Sequence, residues 1–173
     1  MKDTLSTEHK KFLEHYQQYF PAIYRYVSFR IGQRSEVEDV VSEVFLKAVE
    51  KYHLYEARPD ISFSSWIFKI AKNTLIDYYR KHKRTIVNIE DIGELIDKAI
   101  LPDTALDRKL IFLKAREIIE TLPKKQREIV TMRLFAELKN KEIGEALSIS
   151  EKTVASTYMR AMQKVSSQIN TLI

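Results

Sequence analysis

The 173-residue chain carries 29 basic and 24 acidic residues, a net charge of +5, and is 45% hydrophobic with 3 glycines, 4 prolines and no cysteine. That apolar content supports packed cores and excludes wholesale disorder, while the scarcity of chain breakers argues for helices and against many short strands joined by turns. The missing cysteines exclude disulfides and thiolate metal sites, no stretch approaches the roughly 18 apolar residues of a membrane span, and the opening MKDTLSTEHKKFLEHY lacks the apolar run of a signal peptide, so a soluble cytoplasmic protein is expected.

Phe12 to Ile31 reads as the first helix, with Phe12, Tyr16, Tyr19, Ile23, Tyr26, Val27 and Ile31 three or four apart. Pro21 should break or kink it, because proline lacks an N–H and clashes with the preceding turn, and Gly32 should close it. Ser35 with Glu38 has the spacing of a capping box for a second helix to about Tyr52, with Val37, Val40, Val41, Val44 and Ala48 as its apolar stripe. His53 to Ile61, containing Arg58-Pro59-Asp60, reads as a loop. Ser62 is a good N-cap for a third helix from Phe63 to about Lys83. Trp66, Ile67, Ile70, Thr74, Leu75 and Tyr78 should face the core, with Lys69, Lys72, Asn73, Asp77, Arg80, Lys81 and Arg84 on the other side.

Residues 86 to 104 lose periodicity and read as a linker, with a short helical turn at Glu94 to Ile100. Residues 1 to 85 are net +4, residues 86 to 107 net −5 and residues 108 to 173 net +6, so two basic lobes flank an acidic connector. Basic lobes suit a polyanion such as nucleic acid, although ordinary surface charge fits the same numbers. Neutralising Glu90, Asp91, Glu94 and Asp97 should raise DNA affinity if the connector screens the lobes.

Ala105 to Thr121 reads as a helix, and Pro123 should open another through about Phe135. The run KNKEIGEALSISEKTVASTYMRAMQKV (Lys139 to Val165) then has a helix-turn-helix pattern. Ile143 and Leu147 bury a helix from Asn140 to Leu147, Gly144 allows two helices to cross closely, and Ile149 fills the turn. Ser150 caps a last helix to about Asn170, on which Val154, Tyr158, Ala161 and Val165 face inward. Lys152, Thr153, Ser156, Met159 and Arg160 point outward, where a recognition helix in a major groove would read bases or anchor phosphates.

Three motifs in order resemble the extracytoplasmic-function group of the sigma-70 superfamily, RNA polymerase sigma factors. EDVVSEVFLKAVEKY (Glu38 to Tyr52) resembles region 2.2, FSSWIFKIAKNTLIDYYRKHKR (Phe63 to Arg84) resembles regions 2.3 and 2.4, and LPKKQREIVTMRLF (Leu122 to Phe135) with the helix-turn-helix resembles region 4. The resemblance implies an all-α fold of two small helical domains, residues 1–85 and 105–173, joined by a flexible linker. It implies that Asp39, Ser42, Glu43 and Leu46 dock on the β′ clamp helices of core RNA polymerase, with Ser42 standing where many relatives have Gln. Glu36 and Glu50 would enlarge that acidic patch. Lys69, Lys72, Asn73, Asp77, Arg80, Lys81 and Arg84 would engage the minus-ten element as a single strand. The segment Tyr55 to Phe63 would capture a flipped base. Region 4 would bind the minus-thirty-five element and the β flap through Lys152, Thr153, Ser156, Met159 and Arg160. Ala155, Thr157 and Met162 stand where relatives often carry cations, which predicts a weaker or differently specified contact. An anti-sigma partner is a further implication.

No catalytic group, metal site or cofactor is expected. His9, His15, His53 and His82 are scattered, and no glycine-rich phosphate loop or nucleophile elbow is present. Asp39 and Glu43, four apart on a helix face, suit docking better than acid–base chemistry. A stand-alone helix-turn-helix regulator with a helical sensor or dimerisation domain, and a helical protein adaptor, remain the other readings.

Overall fold

Helix α1 spans Lys2–Ile31 in the computed structural model, which describes residues 2–56, 58, 60–82 and 105–170. It begins well before Phe12, because the preceding Lys, Glu and Leu residues favour helix even where no apolar stripe marks one. It also runs through Pro21. Pro21 is exposed, as is Gln17 four residues earlier, so the hydrogen bond that proline cannot make falls on the solvent side. Gly32 ends α1 with a positive φ of 83°.

Helix α2 (Arg34–Glu50) starts at Gln33 as N-cap rather than at Ser35. The Ser35–Glu38 box does not form as a cap, since Arg34 Nε donates to Glu38 Oε1 at 3.0 Å and Ser35 lies within the first turn. The segment read as a loop opens with a short helix, α3 (Tyr52–Glu56). Tyr52 meets Phe12 edge-on at 5.2 Å and Tyr55 meets Phe63 at 5.3 Å, so aromatic packing and not local propensity holds this turn. Helix α4 (Phe63–Lys81) is capped as expected, with Ser65 N–H donating to Ser62 Oγ at 3.2 Å. Such a cap is worth about 1 kcal/mol. The turn expected at Glu94 to Ile100 lies outside the described residues.

Four further helices follow: α5 (Ala105–Thr121), α6 (Lys124–Leu134), α7 (Asn140–Leu147) and α8 (Glu151–Asn170). Pro123 precedes α6 as its N-cap. Among the described residues there are helices and no strand. The fold is all-α, as expected, with α1 to α4 forming one lobe and α5 to α8 the other.

The lobes pack directly together. Ile23, Val27, Val41, Phe68 and Leu75 of the first lobe share a buried cluster with Ile129, Met132, Ile143 and Val154 of the second. Phe29 of α1 is fully buried among Phe112, Ile119, Leu122 and Val130, and stacks on Phe135 with ring centres 3.8 Å apart. Burying one such phenylalanine contributes about 1.5–3 kcal/mol. Tyr26 through Gly32 are all buried, because this end of α1 is covered by both lobes.

Candidate nucleic-acid and partner interface

The charged face of α4 follows from its amphipathic register. Phe63, Ile67, Phe68, Ala71 and Leu75 are buried, leaving Lys69, Asn73, Arg80 and Lys81 exposed and Lys72 and Asp77 half-buried. Asp77 is engaged internally: Arg80 Nη2 lies 3.1 Å from Oδ1 and Lys47 Nζ 3.8 Å from Oδ2. Lys47, on α2, also pairs with Glu43 Oε1 at 2.6 Å and donates to Thr74 Oγ1 at 3.3 Å. Glu43, Lys47, Asp77 and Arg80 thus form a ladder of alternating charge from α2 to α4. Exposed pairs of this kind stabilise by about 0–1 kcal/mol at most, so the ladder orients side chains more than it holds the fold. Arg84 lies outside the described residues.

The acidic face of α2 is separate from its core stripe. Val37, Val40, Val41, Val44, Phe45 and Ala48 are buried. Asp39, Ser42 and Leu46 are exposed, Leu46 to 57%, and Glu43 is half-buried beside them. Glu50 is exposed at the end of the helix, whereas Glu36 is turned inward and accepts the Tyr78 hydroxyl at 2.5 Å. The expected acidic patch therefore consists of Asp39 and Glu43, with Glu50 near the end of α2.

Tyr55 and Phe63, at the two ends of the segment expected to capture a flipped base, belong to an aromatic cluster that sequence reasoning did not assemble. His15 of α1 stacks on Phe63 at 4.0 Å and 4°, and Trp66 lies 5.5 Å from the same ring. Phe63 is only 4% exposed, so it is core and offers no open stacking face. An open groove of about 370 Å³ beside it is lined by Lys11, Tyr55, Glu56 and Arg58. Burial pushes the His15 imidazole below its ordinary pKa, against the partial opposition of Glu14 and Glu56. The folded chain therefore favours neutral His15, and the stability this contributes is present above the ordinary histidine range near 6.5 and lost as pH falls. His15→Phe is expected to flatten the fall in urea midpoint between pH 7 and pH 5; an unaltered pH profile would reject the assignment.

In the second lobe, Gly144 sits where α7 meets the turn to α8. A Cβ there would lie 2.7 Å from the Ile149 carbonyl oxygen, closer than such atoms can pack. Ser148 takes a left-handed conformation (φ 57°, ψ 45°), and Ile149 N–H returns to the Gly144 carbonyl at 2.9 Å. Gly144→Ala should cost about 1–3 kcal/mol through the forced backbone shift, read as a lower urea midpoint. Ser150 caps α8 as expected, accepting Thr153 N–H at 3.1 Å. Lys152, Met159 and Arg160 are exposed, Met159 to 59%. Thr153 and Ser156 are half-buried, and their hydroxyls are engaged along the helix, Thr153 Oγ1 with Ser150 Oγ at 2.7 Å and Ser156 Oγ donating to the Thr153 carbonyl at 3.2 Å.

A third set of polar groups lies between the lobes and was not singled out in the sequence. Glu128 of α6, 6% exposed, accepts the Tyr26 hydroxyl at 2.8 Å and pairs with Arg30 at 2.9 Å. Burial, reinforced by the Glu128 charge, pushes the Tyr26 phenol well above its ordinary pKa. Arg116 and Tyr79 both donate to the Arg30 carbonyl, at 3.1 and 2.8 Å, and Arg25 Nε donates to the Phe135 carbonyl at 3.0 Å. The one local signal was Arg30, a charge in an apolar helix end. Among the described residues, no cluster of His, Asp or Glu could hold a metal ion and no helix is long and apolar enough to cross a membrane.

Two family models match the chain: Sigma-70 region 2 over residues 15–85 and Sigma-70, region 4 over residues 112–165. The ECF RNA polymerase sigma factor SigM of Bacillus subtilis (strain 168) is 30% identical over 159 residues, covering 91% of this chain and 94% of SigM. The structure of CnrH in complex with the cytosolic domain of CnrY aligns with a TM-score of 0.70 at 20% identity, covering 94% of this chain and 90% of that one. The sigma factor RpoE in complex with the anti-sigma factor NepR, from Bartonella quintana, aligns at 0.68 and 18% identity over 93% and 98%. Those two likenesses bear on the fold, and the two matched regions together with a relative matched almost end to end carry the assignment: the chain belongs to the extracytoplasmic-function sigma factors of the sigma-70 family.

Proposed function

We propose that this chain confers promoter specificity on bacterial core RNA polymerase, with residues 1–85 docking on the enzyme and reading the minus-ten element, residues 86–104 as connector, and residues 105–173 reading the minus-thirty-five element. Asp39, Ser42, Glu43 and Leu46 form the docking face on the β′ clamp helices. Lys69, Lys72, Asn73, Arg80, Lys81 and Arg84 track the single strand, and Asp77 positions Arg80. Lys152, Thr153, Ser156, Met159 and Arg160 meet duplex DNA, and the second lobe also meets the β flap. The chain acts as an initiation factor without chemistry of its own, in the cytoplasm where its polymerase and promoters are, and an anti-sigma protein is a further partner.

The observation that carries this reading is the pairing of an acidic, apolar-centred face on α2 with a basic face on α4 in one rigid packing unit. Complementary charge on a partner helix gives docking, and trapped bases bias melting without fuel. The test mixes the purified chain with core polymerase and a promoter library. Start-site-specific transcripts are expected. Duplex binding without initiation would instead support the stand-alone regulator, and neither activity would support an adaptor.

One narrower outcome separates the two faces. Arg80→Ala with Lys81→Ala should lower the log–log salt slope of single-strand binding by about 1.4, at about 0.7 for each phosphate no longer neutralised, while core polymerase affinity holds. Equal loss of polymerase and DNA binding would count against the α4 assignment.

A further inference from the structure

The outward face of α8 carries methyl groups where a major groove would meet it. Lys152, Ala155, Met159 and Gln163 are all exposed and three or four residues apart, so they share one face of the helix. On the opposite face Val154, Ala161 and Val165 are buried in the lobe, which fixes the direction in which the outward face points. Met159 lies at the centre of that face and, among the described residues, is the most exposed large hydrophobic side chain. A lone exposed methionine is ordinary on a protein surface. This one stands one turn beyond the exposed methyl of Ala155, in the first two turns of the helix that would enter the groove.

The hydroxyls beside the pair are committed to the helix itself. A serine hydroxyl has one proton to give, and Ser156 gives it to the Thr153 carbonyl. Ser156 therefore keeps no donor for an acceptor on a base edge. Thr153 Oγ1 is bonded to Ser150 Oγ.

Cations flank the apolar pair and do not interrupt it. Lys152 precedes it, Arg160 follows, and Lys164 lies one turn further on, each exposed. Such charges complement the phosphates that wall a groove, and phosphate contacts set register without naming a base. The sequence must then be read by what lies between them. Ala155 and Met159 offer apolar contact alone, and the apolar group that the major groove displays is the C5-methyl of thymine.

We infer that Ala155 and Met159 read thymine, packing on C5-methyl groups of the duplex that α8 holds and so setting the minus-thirty-five sequence at the positions they face. This rests on the sigma-factor reading and adds to it which base that reading requires. Met159 thereby tells thymine from uracil, which differ by that methyl and share every hydrogen-bonding group.

The full chain is assembled with core polymerase, and a minus-thirty-five element is selected from duplexes randomised over that region. Each thymine of the selected element, on either strand, is then replaced by deoxyuridine, which pairs in the same way. Competition against the unmodified duplex is expected to show a loss of about fourfold at one or two neighbouring positions, as withdrawing one buried methyl-sized group would give. Met159→Leu, which keeps an apolar end, should retain the loss, whereas Met159→Ala should bind thymine and deoxyuridine equally at one of those positions. Position 159 is exposed, so both variants should fold, and comparing two duplexes with one preparation cancels any fall in overall affinity. A selected element without thymine, indifference to deoxyuridine at every position, or the same sensitivity in Met159→Ala as in the parent would overturn the inference and leave the sigma-factor reading standing. Failure to select any element would remove that reading, and the inference with it.

Discussion

Glu128→Ala is expected to remove up to about 3–5 kcal/mol of stability, the range for leaving a buried charge without its partner. Both members of the pair are under 10% exposed, with side chains at 7% for Arg30 and 8% for Glu128, so solvent screening takes little from the effect. The loss compounds, because Tyr26 gives up the acceptor for its buried hydroxyl at the same time. The pair straddles two lobes, however, and that sets a ceiling. Once the cost exceeds what holds the lobes together, the cheaper response is to part them and let water reach Arg30. Calorimetry should show one cooperative transition in the parent and two in the variant, the second near the intrinsic stability of the better-packed lobe. Replacing both partners, Glu128→Leu with Arg30→Leu, should recover much of the loss, since an apolar pair in that space has no charge to desolvate. A single unshifted transition in Glu128→Ala would show that the pair contributes nothing to holding the lobes.

The features legible in the sequence were those fixed by neighbours along the chain. Ser62 and Ser150 were readable as caps because a cap depends on four consecutive residues, and both accept the expected N–H. The amphipathic register of α4 and the helix-turn-helix were readable because each repeats a local spacing. Where other groups compete for the same partner or packing decides, the capping and breaker rules gave the wrong answer. Ser35 and Glu38 have the spacing of a box, yet Arg34 takes the Glu38 carboxylate and the helix begins earlier. Pro21 is tolerated because of where its missing bond faces, which depends on what α1 packs against. Helix α3 exists through Tyr52 and Tyr55 packing on rings of α1 and α4. The lobe boundary was the least legible feature, since Tyr26 and Glu128 lie 102 residues apart and no periodicity links them. In the candidate site, Lys69, Asn73, Arg80 and Lys81 were identified as a face from spacing alone, but the tethering of Asp77 by Lys47 came only from tertiary packing of α2 on α4.

Reversing charge on the docking face, Asp39→Arg with Glu43→Arg, is expected to abolish core polymerase binding while the fold survives. Removing one member of a close interfacial charge pair costs about 2–5 kcal/mol, and reversal adds repulsion, so two reversals on one helix face should weaken binding by about three orders of magnitude or more. The fold should tolerate this. Asp39 is exposed and Glu43 pairs with Lys47 at a half-exposed site, where substitutions usually shift stability by no more than about 0.5 kcal/mol. The cation placed at position 43 repels Lys47 by only about a few tenths of a kcal/mol at this spacing, and Lys47 keeps Thr74 and Asp77 as partners. Those retained partners make the result interpretable: α4 stays in register, so oligo(dT) binding by the same variant should be unchanged or slightly stronger. Polymerase affinity is measured with labelled chain and core enzyme at moderate salt, beside thermal unfolding of the same preparation. Parental affinity in a folded variant would place the docking face elsewhere on the chain, and parallel loss of unfolding cooperativity would mean that α2 needs those carboxylates to fold.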